Sequence, residues 1–258
     1  VEEPTAVLIG VVRENGMPLA NAEMSWSARG RSGRGPRTDE SGRYRLEGVA
    51  LGDVELHVRH GDRAMPASVP ATVAVGTNVI DIDLDVTSIR GTVTDPDGKP
   101  IAGAAVWVRG TQQPWQAPRL GGGDRGEEST QTDREGRYRL RGVVPGVEIV
   151  AVARAPGYAM GESEPVTPAR GSDHDGVDVR LPAAGKIRVR ADVKGWAMAE
   201  VRDAQNVVWH RQSLQRGEAV VDGVLPGRWF VTLRKSGGRF TPPREVEVRA
   251  GATADVSF

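Results

Sequence analysis

Apolar and polar residues alternate along most of this chain, and one recurring turn punctuates the alternation. After Thr132-Asp133-Arg134-Glu135-Gly136, Tyr138 and Leu140 fall on one side and Arg137, Arg139 and Arg141 on the other. A period of two predicts a strand with one buried and one wet face. The same unit stands at Thr38-Asp39-Glu40-Ser41-Gly42, followed by Tyr44 and Leu46 against Arg43 and Arg45. A weaker third copy carries Ala219 and Val221 in the apolar slots and lacks the tyrosine. Each copy runs into a glycine-bounded reversal: Gly48-Val49-Ala50-Leu51-Gly52, Gly142-Val143-Val144-Pro145-Gly146 and Gly223-Val224-Leu225-Pro226-Gly227. A second alternating run follows, through Val54, Leu56 and Val58, through Val150 and Val152, and through Trp229, Val231 and Leu233. Turn, strand, reversal and strand together predict a β-hairpin whose inner face packs on a second sheet.

The rest of the pattern fits around these copies. Strands are expected at Ala6–Val12, Glu23–Ser27 and Ala71–Val75, with a closing strand through Ile80, Ile82 and Leu84. In the second copy they are expected at Ser88–Thr94 and Val106–Val108, closing through Val177, Val179 and Leu181. The third opens at Lys186-Ile187-Arg188-Val189 and closes through Ala254, Val256 and Phe258. Glu14-Asn15-Gly16 and Asp95-Pro96-Asp97-Gly98-Lys99-Pro100 are turn signals. Arg29–Arg37 and Gly110–Gln131 read as loops between equivalent strands, leaving the same end of their respective units. The repeat predicts three tandem domains, 1–86, 87–183 and 184–258. The linkers Val86-Thr87 and Pro182-Ala183-Ala184-Gly185 are short, which predicts a rod with limited interdomain freedom. No stretch reads as a long amphipathic helix, and 33 Gly and 17 Pro among 258 residues argue against one.

Composition removes several function classes. Lys+Arg and Asp+Glu both total 34, so no net charge draws the chain to nucleic acid or to an anionic membrane. Only Lys99, Lys186, Lys194 and Lys235 are lysines; the other cations are arginines. The absence of cysteine excludes disulfides, thiolate metal ligands and thiol catalysis. No apolar run approaches the ~18–20 residues that span a bilayer. The opening Val1-Glu2-Glu3-Pro4 reads as a processed end rather than an initiator.

From Ile89 the sequence reads Ile-Arg-Gly-Thr-Val-Thr-Asp-Pro-Asp-Gly-Lys-Pro-Ile-Ala-Gly-Ala-Ala-Val. With the Thr132 turn, Tyr138, Leu140, Pro145-Gly146 and Pro156-Gly157-Tyr158, it closely resembles the carboxypeptidase regulatory-like domain. The first copy shares Gly10-Val11-Val12, Gly16, Pro18-Leu19, Ala22 and the Thr38 unit but not the Pro-Gly-Tyr; the third shares only the reversal and the strand spacing. The resemblance implies an all-β chain of three tandem transthyretin-like or Ig-like β-sandwich domains, about seven strands each. It implies accessory domains on exported or surface proteins, with no catalytic residues to carry over.

The residues argue against the enzymes of similar fold. Intradiol dioxygenases hold iron with two tyrosines and two histidines, but Tyr44 and Tyr138 fill one slot in two copies, as core residues do. His57, His60, His174 and His210 scatter over three copies. Hydroxyisourate hydrolases end in Tyr-Arg-Gly-Ser, and this chain does not. The Lys–Asn isopeptide bond of some similar adhesin domains is impossible in the first copy, which has no lysine, and Lys99 of the second sits in a turn. Ser172-Asp173-His174-Asp175-Gly176 juxtaposes triad residue types, but neighbours in sequence point apart, so it reads as a polar turn. It also offers too few oxygen ligands in the wrong spacing for a calcium loop. Neither catalytic nor metal residues, nor a cofactor, are therefore expected.

Long loops at one end of a rigid sandwich are where binding residues gather. The candidates are Trp115, Arg119 and Arg125 in the long insertion, and Arg29, Arg31, Arg34 and Arg37 in the shorter one. Trp26, Trp107, Trp196, Trp209 and Trp229 are assigned to packing. The expected function is a non-catalytic structural and interaction segment of an exported or cell-surface bacterial protein. Its expected partner is a protein or a cell-surface polysaccharide. The alternative is a set of carbohydrate-binding accessory domains using an exposed tryptophan, and a third reading is an enzyme with a site between domains.

Overall fold

The computed structural model describes residues 5–111, 130–193 and 195–258, and among them there is no helix. By its contacts the chain divides into two compact units: residues 1–90 with 139–148 and 166–175, and residues 91–138 with 149–165 and 176–258.

The first copy contains β1 (Thr5–Glu14), β2 (Met17–Pro18), β3 (Glu23–Ala28), β4 (Arg31–Arg34), β5 (Arg43–Ala50), β6 (Gly52–Arg59), β7 (Ala67–Val73), β8 (Gly76–Val79) and β9 (Ile82–Leu84). One sheet centres on β1, antiparallel to β2 and β5 and parallel to β8 and β9. The other runs β4-β3-β6-β7. Leu8, Val12, Met24, Trp26, Tyr44, Leu46, Leu56, Val58 and Ile82 belong to one buried cluster.

The same plan recurs. The second copy has β10 (Ser88–Thr94), β11 (Ala105–Gly110), β12 (Thr130–Gln131), β13 (Arg137–Arg141), β14 (Ile149–Arg154), β15 (Gly161–Glu162), β16 (Asp173–His174) and β17 (Val179–Arg180). Its sheets are β13-β10-β16, with β17 also on β10, and β12-β11-β14-β15. The third has β18 (Gly185–Arg190), β19 (Ala197–Arg202), β20 (Val208–Ser213), β21 (Glu218–Val224), β22 (Gly227–Lys235), β23 (Arg244–Val248) and β24 (Thr253–Ser257). Its sheets are β21-β18-β24 and β20-β19-β22-β23.

The expected hairpins are not hairpins. In the first copy β5 pairs with β1, whereas β6 pairs with β3 and β7. In the third, β21 pairs with β18 and β22 with β19 and β23. The glycine-bounded piece is an arch that carries the chain from one sheet to the other. Alternation reports which face of a strand is buried, not which strand lies beside it. Val49, Val143 and Val224 at the crossing are fully buried, as a passage along the core edge requires. The glycine before each valine has positive φ, 68° at Gly48, 66° at Gly142 and 72° at Gly223, a bend that a β-branched residue resists.

Two further expectations change. The Arg29–Arg37 stretch is not all loop: Arg29 and Gly30, both at positive φ, turn β3 into β4, an edge strand paired from Ser25↔Arg34 to Ala28↔Arg31. Glycine at 33 is required because Trp26 lies across it, and a Cβ there would overlap the indole. The strand expected at Ala71–Val75 lies earlier, at β7, and Val75 is exposed.

The recurring turn has a repeated hydrogen-bond core. Asp39 Oδ1 accepts from the N–H of Ser41 and of Arg43, both at 2.9 Å. Asp133 Oδ1 accepts from Glu135 (3.0 Å) and Arg137 (2.8 Å). The preceding threonine is buried in both copies. Thr38 Oγ1 accepts from Ala22 N–H and donates to Leu19 carbonyl; Thr132 Oγ1 does the same with Ala104 and Ile101.

The tyrosine does more than fill the core. Tyr44 hydroxyl donates to the carbonyl of Ile80 at 2.7 Å, and Tyr138 hydroxyl to that of Val177. Those carbonyls sit where the closing strand breaks in two, between β8 and β9 and between β16 and β17. Gly10 and Gly91 face the same carbonyls, and a Cβ on either would overlap them and crowd the tyrosine ring. An aspartate beside each break accepts a backbone bond from the first strand: Asp81 from Val11 (2.9 Å) and Asp178 from Thr92 (2.7 Å). In the third copy Val189 stands opposite Ala219, where Gly10 stands opposite Tyr44. There β24 pairs with β18 without interruption from Thr253 to Ser257. Burial, then the Asp81 carboxylate, pushes Tyr44 up to about 12, and burial, then Asp178, raises Tyr138 as well, so both stay protonated donors.

Tyr138→Phe is expected to cost about 1–2 kcal/mol, because it strands a buried carbonyl while keeping the ring. Tyr138→Ala should cost roughly 3–5 kcal/mol, adding the cavity. Arg139→Ala, on the wet face, should cost under about 1 kcal/mol. Urea melts of the three variants check the order; a neutral Tyr138→Phe would mean that the hydroxyl anchors nothing.

Candidate functional site

Arg29, Arg31, Arg34 and Arg37 lie along the β3–β4 turn, the β4 edge and the strand's exit, all exposed. Arg37 is bound to Glu23 and to the Asn21 side chain, so its charge is already matched. Trp115, Arg119 and Arg125 lie outside the described residues.

Ser172–Gly176 is not a free polar turn. Its centre is β16, parallel to the start of β10. Asp173 accepts from Ser88 Oγ (2.7 Å), Arg90 (2.7 Å) and Arg139 (3.0 Å). The Ser88 bond, then Arg90 and Arg139, hold its carboxyl below the usual range against the opposing effect of burial. It is an anchor for three residues rather than a base waiting for a proton. His57 sits between Ser27 Oγ (2.8 Å) and Ser68 Oγ (2.9 Å) across β3, β6 and β7, again as a structural link. Glu14, in β1, meets Arg63 at 2.5 Å and Arg141 at 3.3 Å, with Arg63 almost fully buried. Among the described residues, no group of three or more His, Asp or Glu could hold a metal ion.

Trp26 and Trp229 are buried as expected, and Trp107 is half-buried. Trp196 departs from the packing assignment, being 49% exposed. The less expected arrangement surrounds Trp209. On β20 the ladder to β19 pairs His210 with Val201 and Val208 with Arg202, leaving Trp209 as an extra residue. A bulge of this kind re-aims a side chain. Trp209 and His210, neighbours in sequence, both reach Trp229: the ring centroids are 6.0 and 6.4 Å away, edge to face. Asp203 fixes Trp209, its Oδ2 accepting from the indole N–H at 2.8 Å while Oδ1 accepts from Gln205 and Val207. Burial pushes the Asp203 carboxyl up, but the bonds from Trp209, Val207 and Gln205 outweigh it and leave it below the usual range. Trp229 N–H donates to Leu225 carbonyl at 2.8 Å.

This cluster walls a cleft of about 370 Å³. Ala159, Met160, Gly223 and Leu225 line it too, and its polar side is Arg109 with Glu162. Arg109 Nη2 bridges both oxygens of Glu162, at 2.9 and 2.7 Å. Desolvation lowers His210 to about 4, so its imidazole is neutral near pH 7. The sequence pattern assigns Trp209 and Trp229 to packing, considers His210 only as an iron ligand and sets it aside, and does not single out Arg109 or Glu162. The one available signal was the Trp209-His210 pair directly after an Asp203-Ala204-Gln205-Asn206 turn.

Residues 88–182 match the model of the carboxypeptidase regulatory-like domain. The matched domain holds β10 to β17 and, with them, the Tyr138, Thr132 and Asp133 bonds and the Arg109–Glu162 pair. No curated protein matches the chain. Among solved structures, the chain is similar to the Bacillus anthracis TIE protein, at 14% identity and a TM-score of 0.28, covering 99% of this chain and 51% of that one. It thus spans about half of that protein's length. It is also similar to a streptococcal ancillary pilin, at 14% identity and TM-score 0.32 over 98% of each chain. BcpA, the major pilin subunit of Bacillus cereus, aligns at 13% identity and TM-score 0.27 over 98% of each chain. Superpositions this loose assign nothing to this chain beyond what its own strands show.

A histidine whose folded value lies below its unfolded 6.5 adds stability that is complete above 6.5 and is lost as pH falls toward 4. The chain should therefore weaken across that window by up to about 3 kcal/mol. His210→Gln should flatten the slope, as read by denaturant melts at pH 7, 5.5 and 4.5. An unchanged slope would place the titration elsewhere.

Proposed function

We propose that this chain is a non-catalytic structural and interaction segment of an exported or cell-surface bacterial protein. Its β-units are proposed to form three sandwich domains, 1–86, 87–183 and 184–258, that space and connect neighbouring parts. The observation that carries the reading is the employment of the reactive side chains. Tyr44 and Tyr138 hold strand carbonyls, Asp173 anchors a serine and two arginines, and His57 bridges two serines. A base or nucleophile has to be within reach of a reacting atom, and these groups are turned into the framework instead. The resemblance of the second copy to an accessory domain of exported proteins supports the same location.

Scanning calorimetry of the whole chain, with assays against ester, peptide and glycoside substrates, tests the proposal. Three resolvable transitions and no turnover above buffer are expected. Two transitions, one for each contact-dense unit, would replace the three-domain division. Turnover abolished by His174→Ala would replace the non-catalytic reading.

A further inference from the structure

The cleft beside Trp229 has a lining that a merely structural gap does not need. Its aromatic wall is positioned from behind: Asp203 holds Trp209, a bulge brings His210 to the same side, and Leu225 carbonyl holds Trp229. The same cleft is lined by a guanidinium and a carboxylate that lie together, the carboxylate about one third exposed and the guanidinium less so. Aromatic rings take the C–H face of a ligand, while the charged pair supplies an acceptor and donors side by side. The volume of about 370 Å³ falls within the ~300–1,000 Å³ range of small-ligand pockets.

The charge balance narrows the ligand further. Arg109 is matched by Glu162, and the half-buried imidazole is neutral near pH 7, so the described lining carries no surplus charge. An anion or a cation entering the cleft would lose hydration without gaining a counter-charge. A neutral molecule with an apolar face and vicinal hydroxyls meets every feature: the hydroxyls donate to the carboxylate and accept from the guanidinium. We propose that the cleft between Arg109–Glu162 and the Trp209–His210–Trp229 cluster binds a neutral pyranose, as the end or one unit of an oligosaccharide. Glu162 and Arg109 hold its hydroxyls and Trp209 covers its ring. The proposal goes beyond the structural role, which stands whether or not a sugar is bound.

Tryptophan fluorescence of the whole chain, titrated with maltose, cellobiose, lactose and chitobiose, tests it. Calorimetric titration of any responder follows. At least one disaccharide should give a saturable change below about 10 mM, well within the weak range where 1 mM corresponds to about −4 kcal/mol. Glu162→Gln, which keeps the side-chain shape, should weaken that binding at least tenfold. Trp209→Phe should do the same with its fold checked by circular dichroism, whereas Trp196→Phe should leave it unchanged. No response to any disaccharide overturns the proposal. So does a response that survives Glu162→Gln intact, or one given by indole but by no sugar.

Discussion

A hydroxyl aimed at one carbonyl organises the first two copies. Where Tyr44 meets Ile80 and Tyr138 meets Val177, the closing strand has stepped out of its ladder with the first strand. A main-chain acceptor left there without a partner would cost on the order of 1–3 kcal/mol, and the phenol supplies the missing donor. The phenol can reach it only because the facing residue on the first strand, Gly10 or Gly91, has no side chain. Ring, glycine and carbonyl therefore come as a set. The third copy confirms the logic by reversing it: valine replaces the glycine, alanine replaces the tyrosine, and the ladder runs on unbroken.

Faces were legible in the sequence and neighbours were not. Tyr138 and Leu140 are buried and Arg137, Arg139 and Arg141 exposed, as the period of two requires. The same rule placed Val54, Leu56 and Val58 inside. Nothing in that rule distinguishes a strand that returns beside its predecessor from one that crosses to the opposite sheet. The two outcomes bury the same residues, so an arch and a hairpin read alike in the sequence. The arginine-rich stretch reads as a loop for a related reason. Glycine is depleted in strands, yet Gly33 is what lets Trp26 lie across the edge.

The cleft was hidden by a departure from periodicity. Trp209 and His210 are adjacent, and in a regular strand they would face opposite ways. One extra residue in the ladder removes that rule locally, and it leaves no mark that single-sequence alternation can detect. The residues across the cleft were hidden by distance in sequence, since Arg109 and Glu162 belong to β11 and β15. By contrast, the turn aspartates, whose bonds span only two to four residues, were legible from local spacing alone.

One topological feature has a mechanical meaning. In every copy the opening strand lies parallel to the closing one, β1 beside β8 and β9, β10 beside β16 and β17, β18 beside β24. Tension applied to the two ends of such a copy drags these neighbours past each other along their length. The bonds between them are then loaded together in shear instead of being peeled open singly from one end. Rupture must break several at once, which slows the forced opening that governs survival under load. The uninterrupted five-residue pairing of β24 with β18 gives the third copy the most continuous clamp of this kind.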